Sequence, residues 1–203
     1  MSFRTLVYLA LVPSIILHEV SHGWVALVFG DDTAKRAGRL TLNPIPHIDA
    51  LGTIILPGLL VLSGSAPFGW AKPVPVTPSR LRNPRQQSVL VSLVGPATNI
   101  ALAVIAAAAF DALRPGDPTS DVTRFALAFG YANVLLAAFN LLPIPPLDGS
   151  SLIERVLPSR YLPTWWKFRP YGFLVLFVGL FYFNFFGRIL SPFLTDLCRY
   201  LVR

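Results

Sequence analysis

The chain alternates between long apolar runs and short connections rich in proline, glycine and charge. The first run extends from Phe3 to Phe29 and is broken only by Pro13 and by the polar cluster His18, Glu19, Ser21 and His22. It is long enough to cross a bilayer as one helix. A secretory leader is the other reading of an apolar start. No small-residue cleavage site follows, and apolar character resumes at Val20, so a retained helix is predicted. Ile48–Leu62 is shorter and is broken by Gly52, Pro57 and Gly58. Ser88–Phe110 and Phe125–Leu142 each suffice for a span. Tyr171–Phe186 is aromatic-rich, and after Arg188 the run Ile189–Val202 is weaker. That last run reads as a sixth span, an interfacial helix or the continuation of one tilted helix.

The connections carry the polarity. Arg39–Asn43 alternates like a strand. Phe68–Val76 is extended, because its prolines forbid a helix. The prediction is an all-α polytopic membrane protein of five to six membrane segments, with a small extended or β element and one re-entrant segment.

Composition supports this class. The 203 residues are 54% hydrophobic and only 13% charged, with mean hydropathy +0.60. A soluble domain carries roughly 25% charged residues, and a disordered chain is far less apolar. The net charge of +7 and the pI near 10.1 are explained by basic residues flanking apolar spans, not by nucleic acid. The one cysteine, Cys198, excludes an internal disulfide and a cysteine metal cluster.

Within the first run, His18-Glu19-Val20-Ser21-His22 spells H-E-x-x-H. On a helix, residues four apart share a face, so two imidazoles can grip one Zn²⁺ while Glu19 acts as general base toward water. A glutamate at membrane depth costs at least ~2.5–3.5 kcal/mol on insertion scales, which favours a functional role. Catalytic zinc takes a third protein ligand. Asp148 stands out, in Asn140-Leu-Leu-Pro-Ile-Pro-Pro-Leu-Asp148-Gly149 directly after a span. Its prolines preclude a regular helix, and irregular backbone at membrane depth must be buried or line a wet cavity. A solvated helix-exit turn is the alternative reading. His47 fits a loop or interfacial role better than metal binding.

H-E-V-S-H, then G-P-A-T-N (Gly95–Asn99), then N-L-L-P-I-P-P-L-D-G (Asn140–Gly149) together resemble the site-2 protease family, the intramembrane zinc metalloproteases. The resemblance covers roughly Leu6–Leu152. It implies His18, His22 and Asp148 as ligands of one Zn²⁺ per chain, Glu19 as catalytic base, and membrane-protein substrates cleaved within or near a transmembrane segment. The domain reading is a metalloprotease core over residues 1–152 and C-terminal membrane segments over 153–203. Many members carry a PDZ or cystathionine-synthase-like regulatory domain; this sequence shows neither. Asn140 could stabilise the oxyanion, pin the proline-rich loop or bond substrate backbone. Asn99 reads as an interhelical hydrogen-bond donor. A substrate helix must unwind before attack, and pairing with Arg39–Asn43, through Leu40 and Leu42, or with Trp70–Val76 could hold it. A non-enzymatic membrane zinc-binding protein is the rival reading, and oligomeric state is open.

Charge counting predicts topology. With Ile48–Leu62 re-entrant, eleven Lys and Arg gather on the side reached after the first helix and three on the other, leaving the tail aside. With that stretch crossing, the split is nine to five. The first division fits the positive-inside rule better. His22 lies 7 residues from Phe29 but 19 from Phe3, which puts the site about 10 Å from the far end of the helix. An outside N-terminus, with the zinc site nearer the cytosol in the cell (inner) membrane, is expected.

Overall fold

The structure is a computed structural model and describes residues 1–62 and 69–181. The run Ile189–Val202, the end of Tyr171–Phe186, Cys198 and Phe68 lie outside the described residues. Three long helices form the body: α1 (Phe3–Val28), α4 (Pro84–Leu113) and α5 (Asp121–Asn140). Shorter helices are α2 (Thr33–Arg36), α3 (Leu56–Leu62), α6 (Ser150–Val156), α7 (Leu162–Phe168) and α8 (Gly172–Phe181). Among the described residues, α1, α4 and α5 are the helices long and apolar enough to cross a membrane. The chain is a membrane protein.

Local signals set the helix ends. The Ser2 hydroxyl caps α1 by accepting the Thr5 N–H at 3.2 Å, and Ser120 caps α5 by accepting from Thr123 at 3.1 Å. Pro84 opens α4, where a missing N–H costs nothing. The three long helices all touch one another. Small residues line their contacts: Ala10, Ala26, Ala103, Ala106, Ala128, Ala132 and Ala137 are buried. Between lipid-immersed helices close packing of small side chains takes over from the hydrophobic effect. Leu9, Val12, Trp24, Leu90, Ile100, Val104 and Ile105 point outward, as a lipid-facing surface requires.

Contacts at the helix ends give the directions. The Met1 ammonium meets Asp121 at 3.2 Å, so α1 and α5 start together. The Arg82 N–H donates to the Phe29 carbonyl at 3.1 Å, so α4 starts where α1 finishes. At that same end Arg85 donates to the Leu157 carbonyl at 2.7 Å. The segment between α1 and α4 therefore returns to the end of the bundle it left.

That segment departs from the predicted strand. Arg39–Asn43 forms bends, and no β-strand occurs among the described residues. Local side-chain bonds compete with strand geometry there. The Thr41 hydroxyl accepts from Asn43 N–H, and the Asn43 side chain accepts from Ile45 N–H, both at 3.1 Å, just before a 3₁₀ turn over Ile45–His47. Ile48–Leu62 becomes a π-helical stretch, Ala50–Ile55, continued by α3. Thirteen helical residues reach about 20 Å, short of a ~30 Å hydrocarbon core. Residues 69–77 run extended without ladder partners as a strap beside α1.

Candidate active site

The H-E-x-x-H residues fall in the lower half of α1, and their helical spacing turns both imidazoles toward α4. The rings stand edge to face with centroids 4.7 Å apart. They fit because α4 offers a glycine. A Cβ built on Gly95 would lie 2.5 Å from His22 Nε2 and 2.6 Å from His18 Cε1, closer than any side chain tolerates. Beyond α5, the irregular stretch through Pro143–Pro146, whose Pro145–Pro146 bond is cis, carries the chain back to the same place. Its closure is tight. Gly149 N–H donates to the Asn140 carbonyl at 2.7 Å, and a Cβ on Gly149 would collide with the Leu141 carbonyl.

Three donor atoms then converge. Asp148 Oδ2 lies 3.1 Å from His18 Nε2 and 3.4 Å from His22 Nε2, and the two Nε2 atoms are 3.1 Å apart. Hydrogen bonding on the far side of each ring decides what those atoms carry. His22 Nδ1 is 2.6 Å from the Val91 carbonyl, which can only accept, so this nitrogen holds the proton. His18 Nδ1 is 2.6 Å from the side-chain oxygen of Asn99 and holds its proton likewise. Neutral imidazoles so fixed present lone pairs at Nε2. Asp148 Oδ2 is buried and receives no hydrogen bond. Three lone-pair atoms within this distance repel one another unless a cation sits among them. The group thus fits a divalent ion such as Zn²⁺, with two imidazole nitrogens and one carboxylate oxygen as donors and the protein hydrogen bonds to both rings already made.

Glu19 follows His18 and is half-buried. Its Oε2 accepts the Val74 N–H of the strap at 2.7 Å. The strap reaches it because the next turn of α1 carries Gly23, where a Cβ would lie 2.5 Å from Leu40 Cδ2 and 2.9 Å from Val74 Cγ1. The strap is anchored from outside. The Arg39 guanidinium donates to the carbonyls of Lys72 at 2.6 Å and Pro73 at 3.3 Å. Lys72 N–H donates to His47 at 2.9 Å and Trp70 N–H to Gly52 at 3.1 Å. At its far end Thr77 N–H donates to Asp31 at 2.5 Å.

These contacts bear on the other residues read from sequence. Leu40 is half-buried against α1, whereas Leu42 is exposed. Pairing of substrate along Trp70–Val76 meets an obstacle: the N–H groups of Trp70, Lys72 and Val74 are engaged, and Pro73 and Pro75 have none. Asn140 turns its amide to the Leu136 carbonyl of its own helix at 3.0 Å and closes the Asp148 loop through its backbone. Asn99 donates to Asn133 of α5 at 2.8 Å and also accepts from His18. His47 is buried, donates from Nε2 to the Thr41 carbonyl at 3.0 Å, and stands apart from the three converging donors. Val74, Gly95 and Val91 were not singled out from sequence. Only Gly95 carried a signal, as the first residue of G-P-A-T-N.

Relatives decide the family. YwhC of Bacillus subtilis, assigned by name as a zinc metalloprotease, is 39% identical over 184 residues, covering 88% of this chain and 81% of YwhC. Residues 116–180 match the profile of peptidase family M50. The chain belongs to peptidase family M50. Rip2 of Mycolicibacterium smegmatis, assigned likewise, is 34% identical over 168 residues, 82% of the M50 chain and 63% of Rip2. MJ0611 of Methanocaldococcus jannaschii, another so assigned, is 28% identical over 159 residues, 75% of the M50 chain and 73% of that relative. No solved structure matches.

Proposed function

We propose that this M50 zinc metalloendopeptidase works inside the membrane, hydrolysing peptide bonds within or near transmembrane segments of membrane-protein substrates. The observation that carries the reading is the convergence of His18, His22 and Asp148 with Glu19 alongside, all in or next to apolar helices. His18, His22 and Asp148 would hold Zn²⁺, which supplies the Lewis acidity that makes water nucleophilic near neutral pH and polarises a carbonyl. Asn99 and the Val91 carbonyl hold both imidazoles with Nε2 free to ligate. Glu19 takes the proton of the attacking water at a carboxylate oxygen and returns it to the departing amide nitrogen. The Val74 N–H holds that carboxylate in place, leaving Oε1 for the proton. The packed α1–α4–α5 interface excludes bulk water from the imidazoles, both of which are buried.

The rival, a membrane protein that only binds zinc, has no use for a base beside the ligands. Glu19→Gln separates them: zinc stays bound while cleavage of a transmembrane substrate falls by about 10²–10⁴. Unchanged cleavage in that variant removes the mechanism.

The orientation belongs to the same proposal: N-terminus outside, zinc site nearer the cytosol of the cell membrane, and residues 48–62 re-entrant. The return of the chain from Phe29 to Arg82 at one end supports it, as does the eleven-to-three division of basic residues. Impermeant thiol labelling of Ser2→Cys and Arg82→Cys, in a Cys198→Ser background, tests it. Labelling from opposite faces is expected, and labelling from one face rejects it.

A further inference from the structure

Behind His18 and Asn99 the polar chain continues into two side chains that the catalytic reading does not use. Asn99 of α4, Asn133 of α5 and Ser14 of α1 are each fully buried where the three long helices meet. We propose that Asn133 and Ser14 are positioning residues that set the proton position on His18, and through it the metal affinity of the site. The inference rests on His18 being a zinc ligand.

The argument runs on obligate acceptors. A helix carbonyl can only accept, so it dictates which end of an amide faces it. The Phe129 carbonyl lies 2.9 Å from one terminal atom of the Asn133 side chain, which must therefore be the nitrogen. That NH₂ gives its second proton to Ser14 Oγ at 2.8 Å. Ser14 can receive it because its own hydroxyl proton goes to the Ala10 carbonyl at 2.7 Å. With its nitrogen so committed, Asn133 presents oxygen to Asn99. Asn99 must then answer with nitrogen, at 2.8 Å. Its oxygen is left for His18 Nδ1, at 2.6 Å, which must carry the hydrogen. His18 Nε2 is thereby left with a lone pair on the side of Asp148 and His22. The backbone carbonyls of Phe129 and Ala10 thus set the tautomer of His18 through three side chains from three helices, and the Ser14 carbonyl, 3.5 Å from the Asn99 nitrogen, adds a longer contact in the same sense. Water is excluded by full burial, so no solvent molecule can reverse the order. His22 serves as an internal control, because the Val91 carbonyl fixes it outside this relay.

The test is ¹⁵N-histidine NMR of the full chain in lipid nanodiscs, metal-free, together with Zn²⁺ affinity by chelator competition. In wild type, His18 should carry a proton on Nδ1; a bare Nδ1 with the proton on Nε2 overturns the relay without any variant being needed. Asn133→Ala should mix the two His18 tautomers, leave His22 unchanged and weaken Zn²⁺ binding about 10- to 100-fold, the usual cost of losing a ligand's supporting hydrogen bonds. Asn133→Asp, isosteric and as the neutral acid able to donate with one oxygen and accept with the other, should restore the His18 pattern. An unchanged His18 in Asn133→Ala, a parallel change in His22, or no rescue by Asn133→Asp each overturns the proposal. Failure of wild type to bind Zn²⁺ would instead strike the zinc reading on which it rests.

Discussion

The two walls of this site are built on opposite plans. The α1–α4–α5 wall is regular helix, so most of its backbone groups away from the helix ends are satisfied within their own element. Polar side chains there answer one another across helices, from His18 to Asn99 to Asn133 to Ser14. The strap wall, residues 69–77, has no regular helix or strand. Its backbone groups are answered piecemeal by a guanidinium, a carboxylate and distant carbonyls. The first wall holds metal donors to fixed directions. The second presents one N–H to the base, Glu19. Ligand geometry demands rigidity, whereas substrate must be admitted somewhere. The division of labour follows from which backbone is already paid for.

Perturbing each wall should give distinct signatures. The largest effect is the loss of about 10²–10⁴ in cleavage expected for Glu19→Gln with zinc retained, since that residue touches both walls. Next is Gly95→Ala on the helical wall. Its methyl would occupy the space of both imidazoles, so zinc affinity and cleavage should fall together in equilibrium dialysis and a proteolysis assay. Retained affinity would mean the rings can move aside. Arg39→Ala addresses the strap. Removing a buried guanidinium strips two carbonyls of their donor at a cost of about 1–3 kcal/mol. Cleavage should suffer through disorder beside Glu19 while zinc stays bound, and lost zinc would erase the contrast between the walls.

The smallest effect concerns pH. Burial pushes the Asp31 carboxyl up, but hydrogen bonds from the Thr33 hydroxyl and the N–H groups of Thr77 and Thr33, with the charge of Arg80, outweigh it and hold the pKa below 3.8. A carboxylate stabilised in the folded chain contributes fully above its unfolded value, and the contribution is lost as pH falls through the folded one. The protection of the Thr77 amide against exchange, relative to an unprotected amide at the same pH, should therefore fall on acidification below about pH 4, and Asp31→Asn should remove the dependence.

Much of the helical wall was legible beforehand, because helix periodicity is local. His18 and His22 could be assigned to one face of an apolar run, with Glu19 beside them, from five consecutive letters. Asp148 was marked by the prolines that forbid helix around it, but a solvated turn fitted those residues too, and its place as third ligand came from the resemblance of the whole motif. Asn133 had a weaker signal, a fully polar amide inside Phe125–Leu142, where such a residue needs a partner. That the partner is Asn99, 34 positions away, depends on how α4 and α5 dock. Arg39–Asn43, ahead of the strap, was misread as a strand. Alternation of apolar and polar positions suits a strand, yet Thr41, Asn43 and Pro44 offer local bonds that a strand without a neighbour cannot outbid. The contact of the strap with Glu19 spans 55 positions and involves the main-chain N–H of Val74, which leaves no mark on side-chain identity.

The most direct test of the central claim is metal content of the purified full chain, wild type beside Asp148→Ala, after dialysis against a weak chelator. The account predicts one zinc per wild-type chain and a large loss from the variant, since the proline-interrupted loop supplies a third donor to the two imidazoles of α1. A wild-type chain without stoichiometric metal, or an Asp148→Ala chain that keeps its zinc, would contradict it.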